Sequence, residues 1–443
     1  MARKAQDMDK LMQDFVLIDD AQSRKRIAKK VLDNAYQKGI YCASIHEFYV
    51  ARGRGEFADF SVPAMNLRVL AYDLAKAVIR VAKRNDSGAC IFEIARSEMG
   101  YTNQPPLEYV TVCLGAALKE GYQGPIFIQG DHFQVNEKKY KENPEKELDG
   151  LRSLIQEAME AGFYNIDIDS STLVDLSKSD VRKQQRLNYE ACAELTEFIR
   201  RAQPRGIQVS VGGEIGEVGK QNSNPEELRA FMQGYRKALR KNYQGISKIS
   251  VQTGTSHGGV VLPDGSIAQV KLDFETLRTL SKIAKDEFGL AGAVQHGAST
   301  LPAEAFHKFA QTQTAEVHLA TEFQNMVYES TLLPDDLKSR MYEWTRQNCA
   351  NERKEGETDE QFIYKARKKA LGPFKKEITK LPPNVKAGIS RELEAKFEFL
   401  FKQLNVINTK GLVDKFVVLK RVIKRKRLGV KEGEPVMDTE GAD

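Results

Sequence analysis

Residues 125–136 read PIFIQGDHFQVN: an apolar run of strand length stops at a glycine and then sets an aspartate and a histidine side by side. Two later stretches share that order. Residues 251–259, VQTGTSHGG, end a β-rich run at His257, and residues 293–300, AVQHGAST, end one at His296. Neutral imidazole is the commonest metal-ligating side chain, and a catalytic zinc usually takes three protein ligands and leaves one position open. His132, His257 and His296 are therefore expected to converge on one divalent metal.

Working outward, short apolar or β-branched runs alternate with helical patterns from Ser61 onward. The strand candidates are SVPAMNL, ACIFEIA, PIFIQGD, NIDIDSS, QVSVGGEIG, KISVQTGTS, AGAVQHGAS and AEVHLATE, starting at Ser61, Ala89, Pro125, Asn165, Gln208, Lys248, Ala291 and Ala315. Between them lie stretches such as VLAYDLAKAVIRVAKR and LDGLRSLIQEAMEAG, long enough for right-handed crossover helices. Eight such units over about 260 residues fit the α/β class as a (β/α)8 barrel. A doubly wound open sheet is the alternative, but it would not naturally bring the ends of the third, sixth and seventh strands to one point. In a closed parallel barrel every strand presents its C-terminal end on one face, where the chemistry sits. Asn66, Asp131, His132, Asp169, Ser171, Glu214, His257, His296, Ser299 and Thr321 all lie at or just past such ends.

The remaining sequence bounds the organisation. With 443 residues and 41% hydrophobic content, the chain can bury a large core. No apolar run approaches the ~20 residues of a membrane helix, and the N-terminal MARKAQDMDKLMQDF lacks the apolar core of a secretory signal, so a cytoplasmic location is expected. Five cysteines, widely spaced and without a CxxC pair, read as reduced thiols. The net charge of +6 belongs to a tail: Lys415, Lys420, Arg421, Lys424, Arg425, Lys426 and Arg427 account for it, the rest is nearly neutral, and nothing marks a nucleic-acid binder. The expected layout is a helical extension and loop over 1–60, with ARGRGEF as a mobile loop and His46 without a functional role. The barrel follows over 61–350. A charged linker, NERKEGETDEQF, then opens a helical extension over 351–416, and a basic then acidic flexible tail fills 417–443.

Several residues suggest roles by their chemistry. A carboxylate beside a divalent metal suits acid–base work on a substrate hydroxyl, which Asp131 can supply if the strand bends so that it and His132 both face the mouth. Glycines flanking His257 permit close backbone approach to a ligand. The Gly, Ser and Thr after His296 offer donors to a phosphate.

These pieces, in order, resemble the class II, metal-dependent fructose-bisphosphate aldolase family. PAMNLR is similar to its A-F-N strand, GDH to its D-H pair, IDSS to I-D-G-S, and VGGEIGEVG to V-E-G-E-L-G-x-I-G. NPEEL is similar to D-P-E-E-A, GTSHGG to G-T-S-H-G, KLDFETL to K-L-D-F-x-x-L, and HGAS to H-G-G-S. The resemblance implies a (β/α)8 lyase of carbohydrate metabolism, with His132, His257 and His296 as zinc ligands and Asp131 as the acid/base at the hydroxyl whose C–C bond breaks. It also implies Asp169 and Glu214 at an alternative metal position, leaving room for a second or monovalent cation. Asn66, Gly258, Gly297, Ser299 and Thr321 would border the phosphorylated ketose, and a homodimer or higher homo-oligomer would be the assembly.

Three departures bear on the substrate. The family's eighth strand, K-V-N-x-D-T-D, is EVHLATE here, which puts His318 and Ala320 at its ketose-contacting positions and makes His318 a candidate for substrate phosphate. The loop after the fifth strand, G-G-x-E-D in the family, is GKQNS, which leaves Asn222 at the proton-moving Glu and makes Glu217 its candidate replacement. The tyrosine and lysine that follow S-H-G become valine or glycine. Two other functions compete with aldol chemistry: a non-catalytic subunit like that of tagatose-bisphosphate aldolase, and a metal-dependent hydrolase or isomerase on the same barrel.

Overall fold

A computed structural model describes residues 7–216, 221–254, 261–263 and 272–422. Strands β1 (Ile40–Ala43), β2 (Val62–Asn66), β3 (Ile91–Ala95), β4 (Gly124–Gln134) and β5 (Asn165–Asp169) are followed by β6 (Ser210–Gly216), β7 (Lys248–Val251), β8 (Ala293–Gln295) and β9 (Glu316–Leu319). All their pairings are parallel. β4 pairs with β3 on one side and β5 on the other, β2 pairs with β9, and the ring β2 to β9 closes as an eight-stranded barrel. The eight expected strands are these eight. Their runs are nearly all apolar because a parallel barrel buries both faces of each strand.

Helices Ala71–Arg84, Pro106–Lys119, Pro144–Ala161, Arg186–Ala202, Pro225–Ala238, Phe274–Asp286 and the short His307–Gln311 make the crossovers. The NPEEL stretch shows why they start where they do. Asn224 accepts from the backbone of Glu226 and Glu227, the Glu227 side chain reaches back to the Asn224 N–H, and Pro225 occupies the first turn, where its missing N–H costs nothing.

The stretch expected as a mobile loop, ARGRGEF, begins inside a helix, and a further strand precedes it. β1 pairs with the first half of β4 (Ile40 to Gly124, Ala43 to Phe127), and β5 takes over the same edge at Gln129. Asn165 seals that junction, accepting from Ile45 N at 2.9 Å and donating to Ala43 O at 3.2 Å and Ile128 O at 3.0 Å. Helix His46–Gly53 follows. Its Arg52 is buried and donates to the carbonyls of Ala291 (3.1 Å), Phe60 (2.6 Å) and Thr314 (3.2 Å). Gly53 has to be glycine, since a Cβ would collide with the Gly289 carbonyl. His46 is buried against Gln244 at 2.8 Å, and burial lowers its pKa to about 4, which keeps it neutral.

Helix Pro383–Gln403 lies along Ala71–Arg84. Ser390 donates to Asp73 O at 3.0 Å, and Arg80 and Arg84 pair with Glu394 at 2.8 and 2.6 Å. Helix Met8–Leu17 seats Met12 against Gly115 of Pro106–Lys119. The charged linker is partly helical, since Asp359–Ala366 starts at a capping box between Thr358 and Gln361. Four cysteines are buried and Cys90 is partly so, all as free thiols. Among the described residues, no helix is long and apolar enough to cross a membrane. The tail expected from 417 onward lies outside the described residues beyond Val422.

Candidate active site at the C-terminal mouth of the barrel

The site is built around a defect in β4. The register against β5 slips between Gly130 and Phe133, a bulge, and His132 takes a φ of +38°, a left-handed conformation that a side chain rarely adopts. Gly130 makes the bulge possible, because the Phe133 ring lies where its Cβ would be. A regular strand would send Asp131 and His132 to opposite faces. The bulge turns both to the mouth. Strain of this kind, about 1–3 kcal/mol, persists only where surrounding structure enforces it, and it gathers at functional sites.

Around His132 the strand ends supply carboxylates. Its Nδ1 is 3.3 Å from Asp169 Oδ2 at the end of β5 and 3.4 Å from Glu214 Oε2 in β6, and its Nε2 is 3.8 Å from Asp131 Oδ1. Asp169 is aimed by Gln134 Nε2 at 2.5 Å and Ser171 Oγ at 2.7 Å. His296, just past β8, lies with its ring centroid 4.2 Å from that of His132 and contacts Ser250 Oγ through Nε2 at 3.0 Å. On β9, His318 is 4.0 Å centroid to centroid from His296. Its Nδ1 faces Asp131 Oδ1 at 3.1 Å and Glu93 Oε2 at 3.0 Å, and its Nε2 faces Glu316 Oε1 at 2.6 Å.

Gly297, Ser299 and Thr321 line the same small cavity as Asp131, His132 and His296. Ser299 Oγ accepts from Ala320 N at 2.9 Å, so it fixes the chain where it leaves β9. Two expected substrate residues have other partners. Asn66 does not line the cavity; its amide donates to Glu98 Oε2 at 2.6 Å, because Glu98 turns inward to cap the backbone of Ala95 and pair with Arg68 at 2.8 Å. His318 lines the cavity and has carboxylates at both nitrogens, with Asp131 held at 3.1 Å from its Nδ1. Glu217, His257 and Gly258 lie outside the described residues.

Beneath the mouth runs a charged core that the sequence reading missed. Lys248 Nζ, 1% exposed, donates to Gln129 Oε1 at 2.8 Å, Asp167 Oδ2 at 2.8 Å and Glu316 Oε1 at 2.5 Å. Gln129 bridges Glu93 and Glu316 at 3.1 and 2.7 Å, and the Tyr49 hydroxyl donates to Glu316. A signal was there: single charges at Glu93, Asp167, Lys248 and Glu316 interrupt otherwise apolar strands, where an unpaired charge is hardly ever found.

These groups set one another's protonation. Burial works against charge on His132 and His318, but the carboxylates outweigh it and hold both imidazoles well above their usual range: Asp131 first for His132, Glu93 first for His318. Burial, with Asp169 beside it, pushes Glu214 up to about 7 against the pull of His132. Burial raises Asp167 to about 6 against the pull of Lys248. Burial opposes ionisation of Glu316 too, yet Lys248 and His318 hold it well below the carboxylate range.

The donor set fits a divalent cation. Asp131, His132 and His296 offer ligand atoms within 4.8 Å of one another, and so do His132, Asp169 and Glu214. Metal bonds of about 2.0–2.2 Å to nitrogen and oxygen require spreads of this size.

A family model described as fructose-bisphosphate aldolase class-II matches residues 55–381. Among solved structures, one titled "probable tagatose 6 phosphate kinase", from Sinorhizobium meliloti 1021, has a TM-score of 0.54 at 13% identity, covering 80% of this chain and 99% of that one. A fructose-bisphosphate aldolase from Campylobacter jejuni has a TM-score of 0.47 at 19% identity, covering 84% and 97%. A fructuronate-tagaturonate epimerase from Cohnella laeviribosi has a TM-score of 0.49 at 14% identity, covering 82% and 83%. A search of curated protein sequences returned no match.

Proposed function

Because this chain belongs to the class II fructose-bisphosphate aldolase family, we propose that it catalyses the aldol cleavage and condensation of a phosphorylated ketose, joining dihydroxyacetone phosphate to an aldehyde, with zinc as its cation. The observation that carries this reading is the bulge in β4, which sets Asp131 and His132 together at the mouth beside His296. His132 and His296, joined by His257, hold the cation, and Asp169 and Glu214 offer it an alternative position. Bound there, a divalent cation supplies Lewis-acid polarisation of the substrate ketone.

The chain's own groups do the rest. Asp131 takes the proton from the hydroxyl next to the scissile bond and returns it in condensation. It is suited to this because His318 fixes its Oδ1 at 3.1 Å, so its geometry is set before substrate arrives. Gly297, Ser299 and Thr321, at the exits of β8 and β9, receive the phosphate end through backbone and hydroxyl donors. Arg68, which lines the same cavity, adds a fixed positive charge. Asn66 contributes indirectly, by holding Glu98 against Arg68. Glu217 exchanges the second proton, at the carbon that loses its bond; intact turnover in E217Q would remove it from the scheme. The same reading takes residues 61–350 as the catalytic unit of a cytoplasmic homo-oligomer, with the terminal helical segments covering its outside.

The test is product formation. Metal-loaded protein given dihydroxyacetone phosphate and a panel of phosphorylated and free aldehydes should form a condensate, seen by phosphorus NMR, that stops on addition of a chelator. A panel that yields no condensate, or a yield indifferent to the chelator, would end the proposal.

A further inference from the structure

Next to the group formed by Asp131, His132 and His296 is a second cluster that shares Asp131 with it. Glu93 on β3, Asp131 on β4 and His318 on β9 are all buried, and their ligand atoms lie within 4.8 Å of one another. A cluster of acids alone would mean little, but two observations on different atoms point to a cation here.

The first is the orientation of His318. Its Nε2 lies 2.6 Å from Glu316 Oε1, an oxygen that also accepts from Lys248, while the other Glu316 oxygen accepts from Tyr49. A carboxylate held by such donors only accepts, so Nε2 carries the hydrogen. Nδ1 then faces Glu93 Oε2, 3.0 Å away, and Asp131 Oδ1, 3.1 Å away, where the carboxylates favour a positive charge. In the metal-free protein a proton on Nδ1 supplies that charge, and a cation entering here would take its place. A histidine whose outer N–H is pinned by a carboxylate while its inner nitrogen faces further ligands is the usual arrangement behind a metal.

The second is Glu93 itself. Its Oε2 takes Gln129 Nε2 at 3.1 Å, but its Oε1 is fully buried and has no hydrogen-bond partner among the described residues. The proton on His318 Nδ1 serves Asp131 or Glu93 Oε2 and still leaves Oε1 alone, an unsatisfied buried polar atom at a cost of about 1–3 kcal/mol, in a carboxyl that burial, then Asp131, pushes up to about 8. Glu93 lines the mouth cavity together with His318 and Asp131, so a cation entering there reaches it.

We propose that Glu93, Asp131 and His318 hold a second divalent cation, bridged through Asp131 to the cation at His132 and His296, so that the chain carries a dinuclear centre. Asp131 Oδ1 is placed for the bridge: it lies 3.1 Å from His318 Nδ1, 3.8 Å from His132 Nε2 and 3.9 Å from His296 Nδ1. One nitrogen and two carboxylates make a harder donor set than three imidazoles and suit manganese or magnesium at the second position. The inference rests on the reading of His132 and His296 as metal ligands.

The experiment counts ions. Metal-free protein is titrated with Mn²⁺, the number bound per chain is read by native mass spectrometry, and the electron paramagnetic resonance spectrum is recorded at saturation. Two ions and a spin-coupled signal are expected in the wild type, with one ion and an uncoupled signal in the isosteric E93Q and in H318N. Circular dichroism confirms that each variant is folded, and the wild-type count stands without them. One ion in the wild type that is lost in H132A, or two ions that survive in both E93Q and H318N, would overturn the second site and leave the first intact. No bound ion in the wild type would overturn the first site as well.

Discussion

Replacing Lys248 with methionine keeps the length of the side chain and removes its charge. In the wild type the ammonium is 1% exposed and lies between Asp167 and Glu316, which are 8% and 0% exposed. Without it, two carboxylates face each other in the barrel interior. Removing one partner of a buried ion pair costs about 3–5 kcal/mol, far more than a surface pair. With unfolding entropy of about 2.1 cal/mol/K per residue, a chain this long has about 0.9 kcal/mol/K, so K248M should melt about 3–5 °C below the wild type at pH 8. The sign of the pH effect follows from linkage. In K248M the folded-state pKa values of Asp167 and Glu316 rise above their unfolded values. Folded protein then holds protons that unfolded chain releases near pH 4, so the stability from those protons is present below about pH 4 and lost as pH rises through the folded pKa values. Asp167, already at about 6 beside Lys248, moves higher still. The deficit in K248M should therefore shrink as pH falls from 8 to 5, and K248M/E316Q should recover part of it at pH 8. Calorimetric scans of the three proteins at both pH values decide the matter. A melting point within 1 °C of wild type at pH 8, or a deficit that grows on acidification, would refute the picture of a charge-balanced core.

Three further outcomes follow from the geometry. D131N should lower kcat about 10²–10⁴-fold with little change in KM, because it removes a proton carrier and leaves the phosphate contacts; equal loss in both parameters would argue against this role. In metal-free protein the carboxylates around His132 keep it protonated well above its usual range, so an incoming cation must displace that proton. Affinity should rise between pH 6 and pH 8 with measurable proton release in calorimetry, whereas a flat profile would contradict the assignment. G130A should force the Phe133 ring out of its place, costing about 1–3 kcal/mol from overpacking and, through a displaced Asp131, about 10²-fold in turnover; a variant as stable and active as wild type would show that the bulge does not depend on this glycine.

The barrel was legible in the sequence because a parallel strand buried on both faces leaves a run such as IFEIA or KISV that stops abruptly at polar residues, and helical periodicity fills the gaps. Its mouth was legible for the same reason, since Asp131, Asp169, Glu214 and His296 mark the stops. β1 was not. Its four residues find their partner 84 positions away at Gly124, and no local pattern announces that pairing. The helix His46–Gly53 was hidden by glycines that read as loop, although Gly53 is there to let the Gly289 carbonyl approach. The interior network of Glu93, Gln129, Lys248, Glu316 and His318 needed the barrel register, which brings together polar side chains from four strands that are far apart in sequence. The bulge was anticipated only as a condition on Asp131 and His132, and the φ of His132 shows how it is met.

Metal-dependent aldol chemistry at this site should show as solvent deuterium exchange into dihydroxyacetone phosphate, followed by proton NMR with and without a chelator. The exchange reports loss of the carbon-bound proton without requiring the aldehyde partner. Exchange that the chelator abolishes and that H296A lacks is expected. No exchange from fully metallated wild-type protein would contradict that chemistry.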